Sequence, residues 1–385
     1  MRGHLRQRGN SWELRAYAGM DPVTRRPKYV TRTVKGGKRQ AQEALARFVT
    51  EVSGGGHRAQ DTTVGDLIHE WFELAAPELS PTTVKGYDWI IKTYILPILD
   101  LVPLGKLRTA QLDRLYVKLR EQGGRDGGAL SAATVRQVHA ILRRALQQGV
   151  RWGWISNNPA ALASPPRARR TEVEPPDPAG VVTLIEAATA ANPDFGCFLQ
   201  LAATTGARRG ELCGLHWDAI DLKGGSILIS RSVVEAAHGV MVEKETKTRS
   251  VRRVAVDRET AEILSEHRKK CERRAKRADV SLSPAAYVFS RDADGARPWV
   301  PNDVTKDFIR LRAKVGLHGV RLHDLRHFSA TRLLAAGVPV RTVSGRLGHA
   351  DSSTTLGVYA HFIEESDRGA ADALGAELGR ARKAT

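Results

Sequence analysis

The sequence predicts a multidomain α+β protein. A small three-stranded β-sheet with one helix comes first, then an all-α domain of four helices, then a mixed, mainly helical domain with a small antiparallel sheet. Three observations predict it. Apolar residues alternate with period two over residues 4–35, recur at helical spacing from 62 to about 163, and give way to five prolines within 164–178. A chain of 385 residues is long enough for two or three domains. Its 42% hydrophobic and 26% charged content excludes a disordered or fibrous protein.

The first strand is HLRQR, turned by Gly9-Asn10 into WELRAYA, which leads through Asp21-Pro22 to KYVTRTV. In the middle strand Trp12, Leu14 and Ala16 share one face, and Glu13, Arg15 and Tyr17 the other. A helix from about 38 to 52 turns Ala41, Leu45, Phe48 and Val52 toward the sheet. The free face of the sheet then carries the basic and aromatic residues expected to contact DNA: Arg6, Arg8, Arg15, Tyr17 and Tyr29. Ser53-Gly54-Gly55-Gly56 reads as a flexible hinge.

Four helices follow. Thr63 and Asp66 form a capping box ahead of Val64, Leu67, Ile68, Trp71 and Phe72. Ser80-Pro81 opens a second helix through Val84, Tyr87, Ile91 and Tyr94, which Pro97 is expected to end. Thr109 opens a third through Leu112, Leu115, Tyr116 and Leu119. Ser131 or Thr134 opens a fourth through Val135, Val138, Leu142 and Leu146. Residues 164–178 form a stiff linker whose RARR cluster is either a DNA-backbone contact or a solvated charge run.

The remainder mixes helices at about 179–191 and 195–204, another after Gly206, and strands at 226–234, 240–243 and 252–256 in one small antiparallel sheet. Helices return at 258–277, 302–315, 323–336 and 339–347. A last segment at about 366–381 places Ala371, Leu374 and Leu378 at helical spacing and is marginal alone. The domain boundaries expected are therefore 1–58, 59–163, a linker at 164–178, and 179–385 with a tail from about 366.

The net charge of +18, with a pI near 10.2, makes nucleic acid the default partner. Residues 1–60 hold 13 Lys/Arg against 4 Asp/Glu, so half of the excess lies in about a sixth of the chain. Cys197, Cys213 and Cys271 lack metal-like spacing and read as reduced thiols of a cytoplasmic protein. MRGHLRQRGNSW has no apolar signal-peptide core, and no stretch approaches 18 uninterrupted apolar residues. Neither secretion nor a membrane span is expected.

Six scattered residues can converge on one phosphodiester: Arg208, Lys247, His323, Arg326, His349 and Tyr359. Arg208 and Glu211 are three apart on a helix that opens after a tight turn, so the carboxylate can orient the guanidinium. His323 and Arg326 repeat that spacing, pairing a proton carrier with a two-pronged phosphate clamp. His323 and His327, with Asp324 between, also permit a zinc reading. Asp in place of Glu and the fixed charge of Arg326 weigh against it. Each of these features alone is ordinary: a solvated Arg–Glu pair, a hairpin lysine, a core tyrosine.

Together TGARRGEL at 205–212, TKT at 246–248, HDLRH at 323–327, LGH at 347–349 and TTLGVYAH at 354–361 resemble the tyrosine recombinase (phage integrase) family in order and spacing. The resemblance covers the whole chain. It likens residues 1–58 to an arm-type DNA-binding domain, 59–163 to a core-binding domain and 179–385 to a catalytic domain. It implies that Tyr359 attacks the scissile phosphate, leaving a 3′-phosphotyrosine and a 5′-hydroxyl. By the same resemblance Arg208, Arg326 and His349 hold the non-bridging oxygens, Lys247 protonates the leaving oxygen and His323 assists Tyr359. Glu211 lies behind them, and Lys244 is near enough to compete for the acid's role.

The resemblance further implies a metal- and cofactor-independent integrase of a prophage or integrative element. It would act as a homo-tetramer on double-stranded attachment sites of core and arm types, coupled through the tail. A host DNA-bending protein and an excisionase are further partners, no membrane is involved, and the location is cytoplasmic, nucleoid-associated on DNA. Two other classes remain beside it: a catalytically silent DNA-binding regulator on the same scaffold, and a type IB topoisomerase-like nicking enzyme.

Overall fold

In a computed structural model of the chain, the described residues are 3–20, 27–53, 62–124, 127–167, 175–236, 239–245, 251–349, 371–372 and 374–382. They divide into two units, residues 1–170 and 171–385.

In the first unit, alternation builds the sheet. β1 (Gly3–Arg8), β2 (Ser11–Met20) and β3 (Pro27–Lys35) pair antiparallel in that order. Leu14 and Ala16 of β2 are buried with Phe48 and Val52 of α1 (Lys38–Ser53), so the helix covers the expected face. The register sets Arg6 opposite Glu13, Arg8 opposite Ser11 and Tyr17 opposite Tyr29. Because cross-strand partners share a face, all five expected DNA-facing residues lie on the uncovered side. The Arg15 guanidinium stands 4.1 Å from the centre of the Tyr29 ring, and Tyr17 meets that ring edge-on.

Helical periodicity governs the rest of this unit. α2 (Val64–Ala75) begins with the predicted capping box, the Thr63 hydroxyl accepting from Asp66 N–H while Asp66 accepts from Thr63 N–H. α3 (Pro81–Ile90) starts on the Ser80 cap. Pro97 does not stop this helix as expected. A π turn at Ile91–Ile95 lets the Leu96 N–H reach back to the Ile91 carbonyl, and the chain continues into α4 (Leu96–Leu99). Proline is tolerated there because it falls in the first turn after the π register, where its missing N–H has no partner to lose. α5 (Thr109–Gln122) and α6 (Ala132–Arg151) complete the bundle, with Ser131 rather than Thr134 as the cap of α6. Val64, Ile95, Leu112, Val138 and Leu142 fill its core.

In the second unit, α7 (Pro178–Ala191) and α8 (Pro193–Thr205) form a helical pair, followed by the short α9 (Arg209–Cys213). β4 (Ile220–Asp221) and β5 (Ser226–Ile229) come next. The stretch expected as one strand at 226–234 breaks at Ser230, and β6 (Arg231–Glu235) leaves to pair with β7 (Met241–Glu245). β8 (Arg252–Ala255) returns to β5. Two antiparallel sheets, β4-β5-β8 and β6-β7, thus replace the single expected one. The break serves packing: β6 lies over α9, where a side chain on Gly210 would collide with the Val233 carbonyl and the Ser232 hydroxyl.

α10 (Arg258–Arg277), α11 (Pro301–Lys314), α12 (Asp324–Ala335) and α13 (Val340–Leu347) follow. Phe198, Leu199, Leu264, Phe289, Phe308 and Leu325 share one core. A smaller cluster of Ala330, Leu334, Val343 and Leu347 ties α12 to α13. Residues 371–372 and 374–382 are helical, with Leu374 and Leu378 exposed; the rest of the expected tail helix lies outside the described residues. No helix among the described residues is long and apolar enough to cross a membrane.

Candidate active site

Two left-handed glycines deliver the site. α8 ends on Gly206 at φ 63° and α13 ends on Gly348 at φ 70°, so each helix terminates abruptly and its next residues project outward. A Cβ on Gly206 would lie 2.5 Å from Leu347, and one on Gly348 would lie 2.7 Å from the Arg252 guanidinium. Both positions therefore exclude side chains on conformational and steric grounds. Gly206 leads into Arg208, and Gly348 leads into His349.

Both arginines are tied to these turns. Arg326, only 3% exposed, donates from Nη1 to the Gly206 carbonyl at 2.6 Å. Arg208 donates from Nη2 to the Gly348 carbonyl at 3.4 Å and from Nη1 to Glu211 at 2.9 Å. Arg346 braces the same corner by donating to the Thr204 carbonyl at 2.8 Å. Long-range packing of α8, α12 and α13 thus brings residues 208, 326 and 349 to one place.

Glu211 is 4% exposed and accepts from two sides. Arg208 N–H and Nη1 reach it from its own turn, and Arg252 reaches it from β8 through Nη2 at 2.8 Å and Nη1 at 3.2 Å. Arg252 also donates from Nε to the Arg346 carbonyl at 2.7 Å. Burial raises the Glu211 carboxyl, but the hydrogen bonds and charge of Arg252, joined by Arg208, outweigh it and hold the group below its ordinary range. Glu211 is therefore a fixed anion that aims Arg208. Arg252 is a residue of this corner that the motifs do not reveal. Its signal was parity: it shares the inward face of β8 with Val254, whereas Arg253 points outward.

Both histidines are tuned toward neutrality. Desolvation, followed by the charges of Arg326 and Arg208, pushes His349 down to about 4. His323 keeps an exposed edge at the start of α12. Desolvation, then His327 and Arg326, still pushes it down to about 4. Each ring is thus an uncharged imidazole at neutral pH, able to accept a proton or to donate through its remaining N–H. These shifts also report that the two arginines lie within electrostatic reach of both rings.

The structure therefore brings together Arg208, Glu211, His323, Arg326 and His349. Lys247 and Tyr359 lie outside the described residues. Lys244 pairs with Ser232 in the β6-β7 ladder. Cross-strand partners share a face, so Lys244 stands on the side of the hairpin where the Ser232 hydroxyl meets α9. The zinc reading loses its carboxylate, because Asp324 is held by Arg321 at 2.8 Å. Among the described residues no three His, Cys, Asp or Glu side chains form a metal-binding group.

What the arrangement offers is two converging guanidiniums, one of them buried, beside two uncharged imidazoles: a receptor for one phosphate and its developing charge. Residues 178–365 match the family model described as the phage integrase family, and residues 63–120 match that of the phage integrase N-terminal SAM-like domain. The two matches together span well over half of the chain. The chain belongs to the tyrosine recombinase (phage integrase) family.

Among curated relatives, a tyrosine recombinase XerC-like protein of Caldanaerobacter subterraneus subsp. tengcongensis is 27% identical over 82% of this chain and 83% of its own length. A putative prophage phiRv2 integrase of Mycobacterium tuberculosis is 27% identical over 79% of this chain and 76% of its own length. The fold is similar to that of the Tn1549 transposon integrase in complex with transposon right end DNA. There the TM-score is 0.69 at 19% identity, covering 82% of this chain and 100% of that one. A lambda integrase tetramer bound to a Holliday junction gives a TM-score of 0.54 at 19% identity, covering 90% and 96%. The chain is thus a tyrosine recombinase of the integrase kind, built as a mixed α+β protein.

Proposed function

We propose that this recombinase integrates and excises a prophage or integrative element by cutting attachment-site DNA through a 3′-phosphotyrosine on Tyr359. The observation that carries the proposal is that Arg326 and Arg208 are tied to the two glycine turns that lead into Arg208 and His349, which sets two cations and an imidazole at one corner. As Tyr359 Oη attacks phosphorus, negative charge grows on the two non-bridging oxygens. Donors already in place there are each worth about 10²–10³ in rate. His349 supplies a further N–H. His323, uncharged at neutral pH, takes the phenolic proton as the Oη–P bond forms. The P–O5′ bond breaks as Lys247 gives its proton to the leaving oxygen. Because the phosphotyrosine retains the energy of the broken bond, a 5′-hydroxyl of another strand reverses the step without a nucleotide cofactor.

Residues 59–163 are proposed as the core-binding domain and 179–385 as the catalytic domain, joined by the linker at 164–178. Residues 1–58 are proposed as an arm-site module. The uncovered face of its sheet, with Arg15 over Tyr29, offers cations and aromatic edges to a DNA groove. A tetramer on two synapsed sites is the working assembly, as the lambda integrase tetramer on a Holliday junction suggests by analogy. The tail beyond 366 is proposed to couple protomers, with a host DNA-bending protein and an excisionase directing the outcome in a nucleoid-associated setting.

The test is a nicked suicide substrate bearing the attachment core, incubated with EDTA. A covalent protein–DNA band that Tyr359→Phe abolishes supports the proposal. EDTA-sensitive cleavage without such a band, or DNA binding without cleavage, would overturn it. Relaxation of supercoiled DNA lacking any attachment site would move the assignment to a topoisomerase. Comparing Lys247→Ala with Lys244→Ala identifies the acid: the variant with the larger loss carries the proton.

A further inference from the structure

The β6-β7 hairpin ends at Glu245, two residues before Lys247, so what holds that hairpin bears on the acid proposed there. Its two strands are not held alike. β6 rests on α9, its backbone against Gly210 and Gly214. β7 is held at Glu243. His216, 8% exposed, donates from Nε2 to the Glu243 carboxylate at 2.7 Å, and Tyr287 donates its hydroxyl to the same oxygen at 2.6 Å. Arg231 adds a longer ion pair at 3.6 Å to the other oxygen.

The anchors are themselves held by other contacts. His216 and Tyr287 face each other across an isolated antiparallel bridge, with ring centroids 4.2 Å apart. The other His216 nitrogen, Nδ1, is engaged by the Ala285 carbonyl at 2.6 Å. His216 lies five residues after Glu211, so the clamp ties β7 to the segment that leaves the Arg208 helix. A carboxylate receiving two short hydrogen bonds and an ion pair from three separate elements is more than an exposed hairpin needs to close. Ladder hydrogen bonds to β6 already do that.

We propose that Glu243 is a positioning residue for leaving-group protonation. It sets the strand from which Lys247, four residues later, gives its proton to the 5′-oxygen. The inference rests on the assignment of Lys247 as that acid.

The test uses two core substrates in single-turnover cleavage by the full-length protein. One has the natural P–O5′ bond and the other has sulfur at the bridging 5′ position. In both, the Tyr359 Oη–P bond forms and the bond to the leaving atom breaks. An alkoxide leaving group needs a proton, whereas a thiolate keeps the electron pair unaided. A group that serves only to deliver the proton is therefore dispensable on sulfur.

Glu243→Ala is expected to slow the oxygen substrate about 10²-fold, the scale on which a displacement of about 1 Å degrades a positioned group. It should leave the sulfur substrate within about twofold of wild type. Partial misfolding would lower both rates together, so their ratio reports positioning alone. Tyr287→Phe, which deletes a single hydrogen bond, should change the ratio in the same direction by a smaller factor. Equal losses on both substrates, or no loss on either, would overturn the inference. Lys247→Ala is the reference arm. If it is rescued by sulfur and Glu243→Ala is not, the positioning role alone fails. If Lys247→Ala is not rescued, the acid assignment fails and the inference falls with it.

Discussion

Replacing Arg252 by Met tests how the buried pair behind the phosphate site divides its work between stability and aim. The side chain is 6% exposed and gives two of the hydrogen bonds that neutralise Glu211. Removing it leaves a buried carboxylate with Arg208 as its remaining charged partner, and breaking such a pair costs about 3–5 kcal/mol. For a unit spanning residues 171–385, about 2–4 °C is lost per kcal/mol. The expected fall in Tm is therefore about 6–20 °C. The double variant Glu211→Met/Arg252→Met removes both charges and fills the volume, so most of that loss should return. Cleavage should not return. Without Glu211, the half-exposed Arg208 has no anion to aim it, and single-turnover cleavage should stay about 10²-fold slow. Differential scanning fluorimetry and a suicide-substrate time course read the two quantities separately. A single variant that melts with wild type, or a double variant that cleaves like wild type, would refute this reasoning.

Three further outcomes are expected. The folded-state pKa values of His323 and His349 lie near 4, below their unfolded value near 6.5, so the unfolded chain binds more protons between those pH values. Stability should accordingly be intact above about pH 6.5 and fall as pH drops toward 4, read as a declining Tm that His323→Gln/His349→Gln flattens. His267 has the opposite sign. Burial opposes its protonation, but its bond to Asp194 prevails and raises it to about 9. A stabilisation present at low pH should then fade as pH rises through 9, and His267→Gln should abolish that alkaline flank. Finally, deleting residues 1–58 should spare cleavage of a core site, impair integration and reduce the salt dependence of binding, because about one counterion is released per phosphate contact. A truncated protein that integrates normally would remove the arm-site assignment.

What the sequence disclosed and what it withheld divide along physical lines. Local rules were legible. Period-two alternation placed Leu14 and Ala16 inward, Thr63 and Asp66 capped a helix, and i, i+3 spacing paired Arg208 with Glu211. The family motifs carried the order of the distant site residues, which no local rule supplies. Pro97 reads as a helix stop because no composition signal marks the π turn that shifts the hydrogen-bond register just ahead of it. The break at Ser230 was hidden because residues 226–229 and 231–235 are both strand-like. Only the fit of β6 over Gly210 divides them. Arg252 and Arg253 are chemically identical neighbours, and the register of β8 decides which one is buried. The Glu243 clamp joins residues 27 and 44 positions apart, beyond any helical or strand period.

The central claim is that Arg208 and Arg326 neutralise charge on one phosphate. A substrate whose scissile phosphate carries an uncharged methylphosphonate tests it most directly, using Arg208→Ala and Arg326→Ala. On ordinary DNA each variant should lose about 10²–10³ in cleavage rate; on the neutral substrate each should come within about tenfold of wild type, because the charge it met is gone. A loss that persists undiminished on the methylphosphonate would contradict the account.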